Sequence, residues 1–311
     1  MDPAGLRPLG VGEVLDVAIK IYRARFGVLV KSVAVILGPV FALAAVIRVS
    51  IPPGDDLLEP PIDPSAPPEF DIEQLLPFIA GTLLIALLAF VASQVATGAC
   101  FKAVSGAYLD EEPNWRESLR FARSRLGSLL WLSFLLVILL VPAVLACIVP
   151  GIYLWVAWSV AAPVLLLEDR KGWSALKRSQ ELVQGRFWPT VAILLLVALL
   201  TGMVQLIFLG VLAGLVSVTG NEVAAALADA IGQTASSALT TPLSAAVLTV
   251  LYFDLRVRKE GFDLELLAHR LGVEPGTVGG ADFMPAPPPS APSDDQPPFW
   301  PPPPGWRPRD G

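Results

Sequence analysis

Apolar and polar positions in this chain are sorted into long blocks. The longest apolar block, Leu126 to Leu167, runs for 42 residues without an Asp, Glu, Lys, Arg or His. As one helix it would be ~63 Å long, about twice the hydrocarbon core of a bilayer. Val149-Pro150-Gly151 stands in its middle, where a helix stops and turns. The block therefore predicts two spans, 126–148 and 151–167, joined by a tight turn. Four further blocks predict spans at 27–49, 75–101, 189–217 and 228–253, the second helix continuing to Tyr108.

Three shorter stretches are two-faced instead. Residues 10–26 place Val14, Ala18, Ile21 and Tyr22 on one helical face, with Glu13, Asp16, Lys20 and Arg23 elsewhere. That spacing suits a helix lying in the headgroup region, apolar side down. Asn114 to Arg125 leads into the central block, and Trp173 to Arg186 follows it. Phe187-Trp188-Pro189 then opens the fifth span with aromatic anchors and a proline in a first helical turn. The expected fold is all-α: six transmembrane helices as three hairpins, each preceded by a cytoplasmic amphipathic helix, in a membrane domain of residues 1–271.

The remaining blocks are polar or rich in proline. Residues 50–73 hold seven prolines among Asp55, Asp56, Glu59, Asp63 and Glu69. No helix survives that proline density, so an extended acidic loop outside the cytoplasm is expected. Asp110-Glu111-Glu112-Pro113 ends the second helix, and residues 254–271 extend the sixth into water. Residues 272–311 read as a disordered cytoplasmic tail. Its Pro297-to-Trp306 stretch favours polyproline II, a form that docks into an aromatic-lined groove of a protein partner.

Composition agrees with a membrane. Apolar residues make up 54% and charged residues 16%, against roughly 25% charged in ordinary globular domains, and the mean hydropathy is +0.63. The net charge of −6 hides a strong segregation. In the six-span arrangement 21 of the 22 Lys and Arg residues fall on one side, and only Arg48 falls opposite. The positive-inside rule then places both termini and all three amphipathic stretches in the cytoplasm of a multi-pass cell-membrane protein. Met1 to Phe26 holds no apolar run of signal-peptide type, so insertion falls to the first span.

The amphipathic stretches can be laid over one another. Arg25-Phe26, Arg125-Leu126 and Arg186-Phe187 correspond; so do Leu15, Trp115 and Leu176, and Ala18, Ser118 and Ser179. Each is followed by two spans. The expected unit is an interfacial helix plus a hairpin, used three times about a pseudo-threefold axis along the membrane normal.

Several motifs carry a family resemblance: Arg7-Pro8-Leu9 with Ile21-Tyr22-Arg23, Gly151-Ile152-Tyr153-Leu154-Trp155 to Pro163, Glu181-Leu182-Val183 with Gly185-Arg186-Phe187-Trp188, and Tyr252-Phe253-Asp254-Leu255-Arg256. Over roughly residues 5–265 the chain resembles the membrane domain that precedes bacterial glycerophosphodiester phosphodiesterases, which also occurs alone in uncharacterised six-helix proteins. The resemblance implies a location. The phosphodiesterase activity belongs to a separate barrel with paired histidines, acids and a metal. Here His269 is the only histidine, and too few residues follow the sixth span for a barrel of ~250 residues.

The chemistry available is correspondingly spare. No acid or base falls clearly within a span, which argues against a proton-driven pump; Asp229 is placed at the outer end of span six. Uncharged polar residues do cluster, in Gln233 to Ser237, Thr240-Thr241-Pro242 and Ser244, and in Ser93-Gln94 and Thr97-Gly98. Gln94, Thr97, Gln233, Ser237 and Thr241 are candidates for lining a polar cavity. The competing reading is close packing, with hydroxyls bonded to backbone and Thr240 and Thr241 satisfying carbonyls freed by Pro242. Arg23, Arg25, Arg116, Arg120, Arg123, Arg125, Lys177, Arg178 and Arg186 are candidates for anionic lipid headgroups, at ~1 kcal/mol per charge, or else only fix orientation. Cys100 and Cys147 are expected near opposite faces as packing residues. Zinc spacings, phosphate loops, nucleophile elbows and nucleic-acid patterns are missing, so no catalytic residue, cofactor or metal is assigned. The expected function is a non-catalytic membrane module organising lipid or partner proteins at the cytoplasmic leaflet. The alternative is a passive or lipid-handling transporter with a polar pathway near span six.

Overall fold

The apolar blocks fold as helices because a helix satisfies its backbone hydrogen bonds within one segment, the condition for burial in hydrocarbon. A computed structural model describes residues 9–50, 72–108, 114–219 and 221–260, and every regular element among them is helical. The proline-rich loop, the acidic turn after Tyr108, His269 and the C-terminal tail lie outside the described residues. In order the helices are α1 (Val11–Ala24), α2 (Phe26–Ser50), α3 (Ile72–Tyr108), α4 (Trp115–Ser124), α5 (Leu126–Ala146), α6 (Ile148–Ala157), α7 (Ala161–Leu167), α8 (Trp173–Val183), α9 (Phe187–Thr219) and α10 (Glu222–Glu260). Among the described residues, six segments are long and apolar enough to cross a membrane: α2, α3 from Leu75, α5, α6 with α7, α9 and α10.

Two boundaries differ from expectation. The central block turns at Cys147, not at Val149-Pro150-Gly151: Cys147 is extended (φ −168°, ψ 137°) and α6 begins at once. Pro150 thereby falls in the first turn of α6, where a missing N–H costs nothing. A Cβ on Gly151 would lie 2.4 Å from Val144 Cγ2 and 3.0 Å from Val144 Cα, so glycine lets the two arms close. The fourth span, expected as one helix over 151–167, is broken between α6 and α7 at Trp158–Val160. Pro163 accounts for the break, since its ring would clash with the Ser159 carbonyl in a continuous helix. Ala161 N–H turns to Trp158 O (3.1 Å), and the Ala157 carbonyl accepts instead from the buried Ser179 hydroxyl of α8 at 2.8 Å.

Pro242 produces no such break; α10 continues through it for 39 residues. The carbonyl it deprives is that of Ala238, yet Thr240 Oγ1 donates to Ser236 O (2.8 Å). The expected relief by Thr240 is therefore not made.

Helix α10 is the most enclosed of the long helices, and its most extensive packing is against α2, with α9, α3 and α1 around the rest. Small residues permit this. Ala226 and Ala230 pack with Ala45 and Phe41 of α2, and a Cβ on Gly232 would strike Leu212 of α9 at 2.1 Å. Thr234, Thr240 and Thr249 return their hydroxyls to carbonyls of α10 itself, so they add close contact without leaving polar groups in the interface. Within each of the pairs α2–α3, α5–α6 and α9–α10 the helices pack on one another.

The short helices bury one face each. Ala18 of α1, Ser118 of α4 and Ser179 of α8, which correspond in the sequence overlay, are all buried. Helix α1 packs chiefly on α10, α4 on α3 and α8 on α7. A carboxylate ties the first of these contacts: Leu9 N–H donates to Asp254 Oδ1 (2.7 Å), and Arg258 Nε bonds both Asp254 oxygens at 3.0 Å while its guanidinium also reaches Leu9 O. Asp254→Ala removes a buried acceptor from two donors, and about 1–3 kcal/mol of stability should go with it, read as a fall in Tm of the detergent-solubilised protein. Asp254→Asn, which keeps an acceptor for Leu9, should lose less.

Candidate functional site

Stripes on three helices meet in a cleft of about 270 Å3. Thr97 and Phe101 come from α3, Thr201 and Gln205 from α9, and Thr240, Thr241, Ser244, Ala245 and Leu248 from α10. The spacings are i, i+4 on α3 and α9 and i, i+3, i+4, i+7 on α10 from Thr241, so each helix presents one face. At ~1.5 Å per residue, Thr201 and Gln205 lie ~21 and ~27 Å along α9 from Phe187, and Thr241 lies ~20 Å before Asp254 on α10. These positions therefore lie well inside helices long enough to cross a membrane. Thr201 Oγ1 donates to Val197 O at 2.8 Å. The side chains of Thr97, Gln205, Thr241 and Ser244 make no hydrogen bond to another described residue. Among the described residues no charged side chain lines the cleft. It holds neither an acid nor a base for proton transfer, only neutral donors and acceptors.

Of the expected cavity residues, Thr97 and Thr241 line this cleft. Gln94 is taken up elsewhere, accepting from Ser133 Oγ of α5 at 3.1 Å. Gln233 is exposed and Ser237 half-buried, and neither lines the cleft. Thr201, Gln205 and Ser244 complete the lining. Thr201 and Gln205 had a sequence signal, as polar residues one helical turn apart inside an otherwise apolar block.

A second, charged constellation joins the end of α7 to α8 and α10. Arg178 Nε donates to Glu168 Oε2 at 2.9 Å, and the Tyr252 hydroxyl donates to Glu168 Oε1 at 2.9 Å. Arg170 stands 3.3 Å from Glu168, and Arg256 Nε bonds Glu260 at 3.1 Å. Arg178 also pairs with Glu260. Burial opposes the charge on Arg178, but its hydrogen bonds to Glu168 and Glu260 outweigh that and raise its pKa. Asp169, at φ 55°, and Gly172, at φ 56°, shape the turn between α7 and α8, and Asp169 pairs with Arg125. Asp169 is of the residue types that tolerate the left-handed region.

These pairs divide the expected headgroup residues. Arg125 and Arg178 are directed to internal carboxylates. Arg23, Arg116, Arg120, Arg123 and Lys177 are exposed, Arg25 and Arg186 partly covered, and none of the seven is paired with an acid among the described residues. Lys31 Nζ and Arg116 Cζ lie 5.3 and 5.1 Å from the Trp115 ring centroid, within cation–π range. At the other end Arg48 pairs with Asp229 at 2.8 Å.

A family model described as Domain of unknown function (DUF8558) matches residues 124–278, a stretch that includes α5 to α10. No curated protein and no solved structure matches the chain.

Proposed function

We propose that this chain is a non-catalytic, multi-pass membrane module with its N- and C-termini in the cytoplasm. It gathers anionic phospholipid, and through that surface or its proline-rich tail organises partners at the cytoplasmic leaflet. The observation that carries this reading is that Arg23 of α1, Arg116, Arg120 and Arg123 of α4 and Lys177 of α8 are exposed, have no acid partner among the described residues and lie opposite the faces those helices bury. An interfacial helix that holds its apolar side against the bundle and leaves arginines exposed without an acid partner offers them to headgroup phosphates. The single cation expected on the far side, Arg48, is neutralised by Asp229, consistent with the positive-inside assignment.

The packing pattern supports a threefold repeat. Each interfacial helix leans on the second helix of the preceding hairpin, and α1 closes the cycle by leaning on α10. Glu168, which caps α7, and Asp254, in the last two turns of α10, each hold the next interfacial segment, through Arg178 and Leu9 respectively. The resemblance to the membrane domain of glycerophosphodiester phosphodiesterases implies a membrane location and adds no activity to this reading.

The test is lipid retention. Native mass spectrometry of protein released from mixed phosphatidylcholine–phosphatidylglycerol nanodiscs should show bound anionic lipid. Arg116→Gln with Arg120→Gln and Arg123→Gln should reduce that retention by roughly 100-fold, from three charges at ~1 kcal/mol each. Unchanged retention would refute the reading, as would turnover of a lipid or nucleotide that a point substitution abolishes.

The cleft favours a second reading, the passive or lipid-handling transporter. A water-filled pathway there predicts that Thr241→Cys, whose parent residue lines the cleft, reacts with small aqueous thiol reagents.

A further inference from the structure

Beyond the cationic surface, we propose that the cleft between α3, α9 and α10 is a binding site for the uncharged polar end of a bilayer-soluble amphiphile, entering sideways from the hydrocarbon. Three observations carry it. First, hydrogen-bonding capacity is concentrated and unused: the Gln205 amide and the Thr97, Thr241 and Ser244 hydroxyls face one volume and bond to no other described residue. An amide or hydroxyl left unpaired in an apolar medium costs several kcal/mol, so a partner is demanded. Second, the open side looks into the lipid. Gln205 is exposed, and beside it on α9 Leu206 (67%), Ile207 (62%) and Leu209 (64%) are exposed as well. Third, among the described residues no charged side chain lines the site, and a charged end at this depth would go uncompensated.

Shape narrows the class. A volume of about 270 Å3 is close to the lower bound of small-molecule sites, ~300 Å3. It admits a ring or a glycerol-ester group and excludes a whole lipid, whose apolar remainder stays in the bilayer. The hydroxyls and the amide N–H groups donate, so carbonyl oxygens suit them. Phe101 and Leu248 supply the apolar walls. A diacylglycerol and a prenylquinone share this chemistry: neutral, carbonyl-bearing and mostly apolar.

The experiment uses the full chain in phosphatidylcholine nanodiscs, with three photoactivatable probes tested separately: a diacylglycerol, a prenylquinone and an anionic phosphatidylglycerol. At least one neutral probe should crosslink to the peptides holding Thr201–Gln205 or Thr240–Leu248, and which of the two does so identifies the source. Gln205→Leu with Thr241→Val should lower that crosslinking at least tenfold while retention of anionic lipid stays unchanged. Should the double variant also lose anionic lipid, and so its fold, Gln205→Met with Ser244→Ala replaces it with the same expectation. The proposal is overturned by no crosslink from either neutral probe, by equal labelling of the cleft by the anionic probe, or by variants that label like the parent. Reaction of Thr241→Cys with a membrane-impermeant thiol reagent overturns it too, in favour of an aqueous path. None of these outcomes bears on the cationic surface, which stands or fails on its own assay.

Discussion

Glu168→Ala is expected to destabilise the protein by about 3 kcal/mol, measured as loss of folded protein in a denaturant titration in detergent micelles. Glu168 is only 11% exposed and Arg178 16%, so the pair is shielded well beyond an exposed surface bridge, whose median contribution is ~0–1 kcal/mol. Alanine takes the acceptor from Arg178 and from the Tyr252 hydroxyl at once, leaving a guanidinium with Glu260 alone and a phenol with no acceptor. Glu168→Gln keeps one acceptor oxygen for Arg178, and its amide N–H can donate to the Tyr252 oxygen, so it should cost clearly less. A double-mutant cycle with Arg178→Ala should return a coupling of roughly 1–3 kcal/mol. A coupling near zero would mean that the end of α7 is held by packing of α7 on α8 and not by this carboxylate.

Gly151→Val should be the most damaging single change in the apolar interior. Even a methyl group there meets Val144 at side chain and backbone together, so α5 and α6 must separate where the Cys147 turn brings them closest. Overpacking of this kind costs about 1–3 kcal/mol in general, and the shared backbone contact puts this case at the upper end. The expected readout is a lower Tm and a broadened size-exclusion profile. Gly127→Ala is the control, because nothing lies within 4 Å of a Cβ there; it should be neutral or stabilise α5 by up to ~1 kcal/mol. Equal behaviour of the two variants would refute the close approach at Gly151.

Particular residues show where linear reading succeeds. The extents of α5 and α9 were legible because hydrophobicity is a property of each residue and a span is contiguous. The buried face of α1, with Val14, Ala18 and Ile21, was legible for a similar reason: residues one turn apart share a face whatever lies opposite. The fourth span was not, although Pro163 was in plain view. A proline in an apolar run either kinks or breaks, as the different outcomes at Pro242 and Pro163 show, and the choice falls to what can satisfy the freed carbonyls. At Ala157 that is Ser179, a residue of another helix.

The cleft was half legible. Thr97 and Thr241 were chosen for being polar in apolar surroundings, and so was Gln94, yet the latter bonds Ser133 and leaves the cleft alone. Polarity identifies a group that needs a partner; it does not say which helix supplies one. Arg125 and Arg178 raise the same difficulty on the charged side. They are indistinguishable in sequence from Arg116 and Arg120, and only the positions of Asp169, Glu168 and Glu260 separate them.

The sequence by itself determined six apolar helices and three two-faced ones, because a backbone in hydrocarbon must satisfy its hydrogen bonds within the segment and each segment declares its own hydrophobicity. The tertiary structure alone decided which polar side chains share a cleft, which cations are neutralised and where the fourth span breaks. Those outcomes depend on distances of a few ångströms between groups from helices far apart in the chain, and no single segment encodes them.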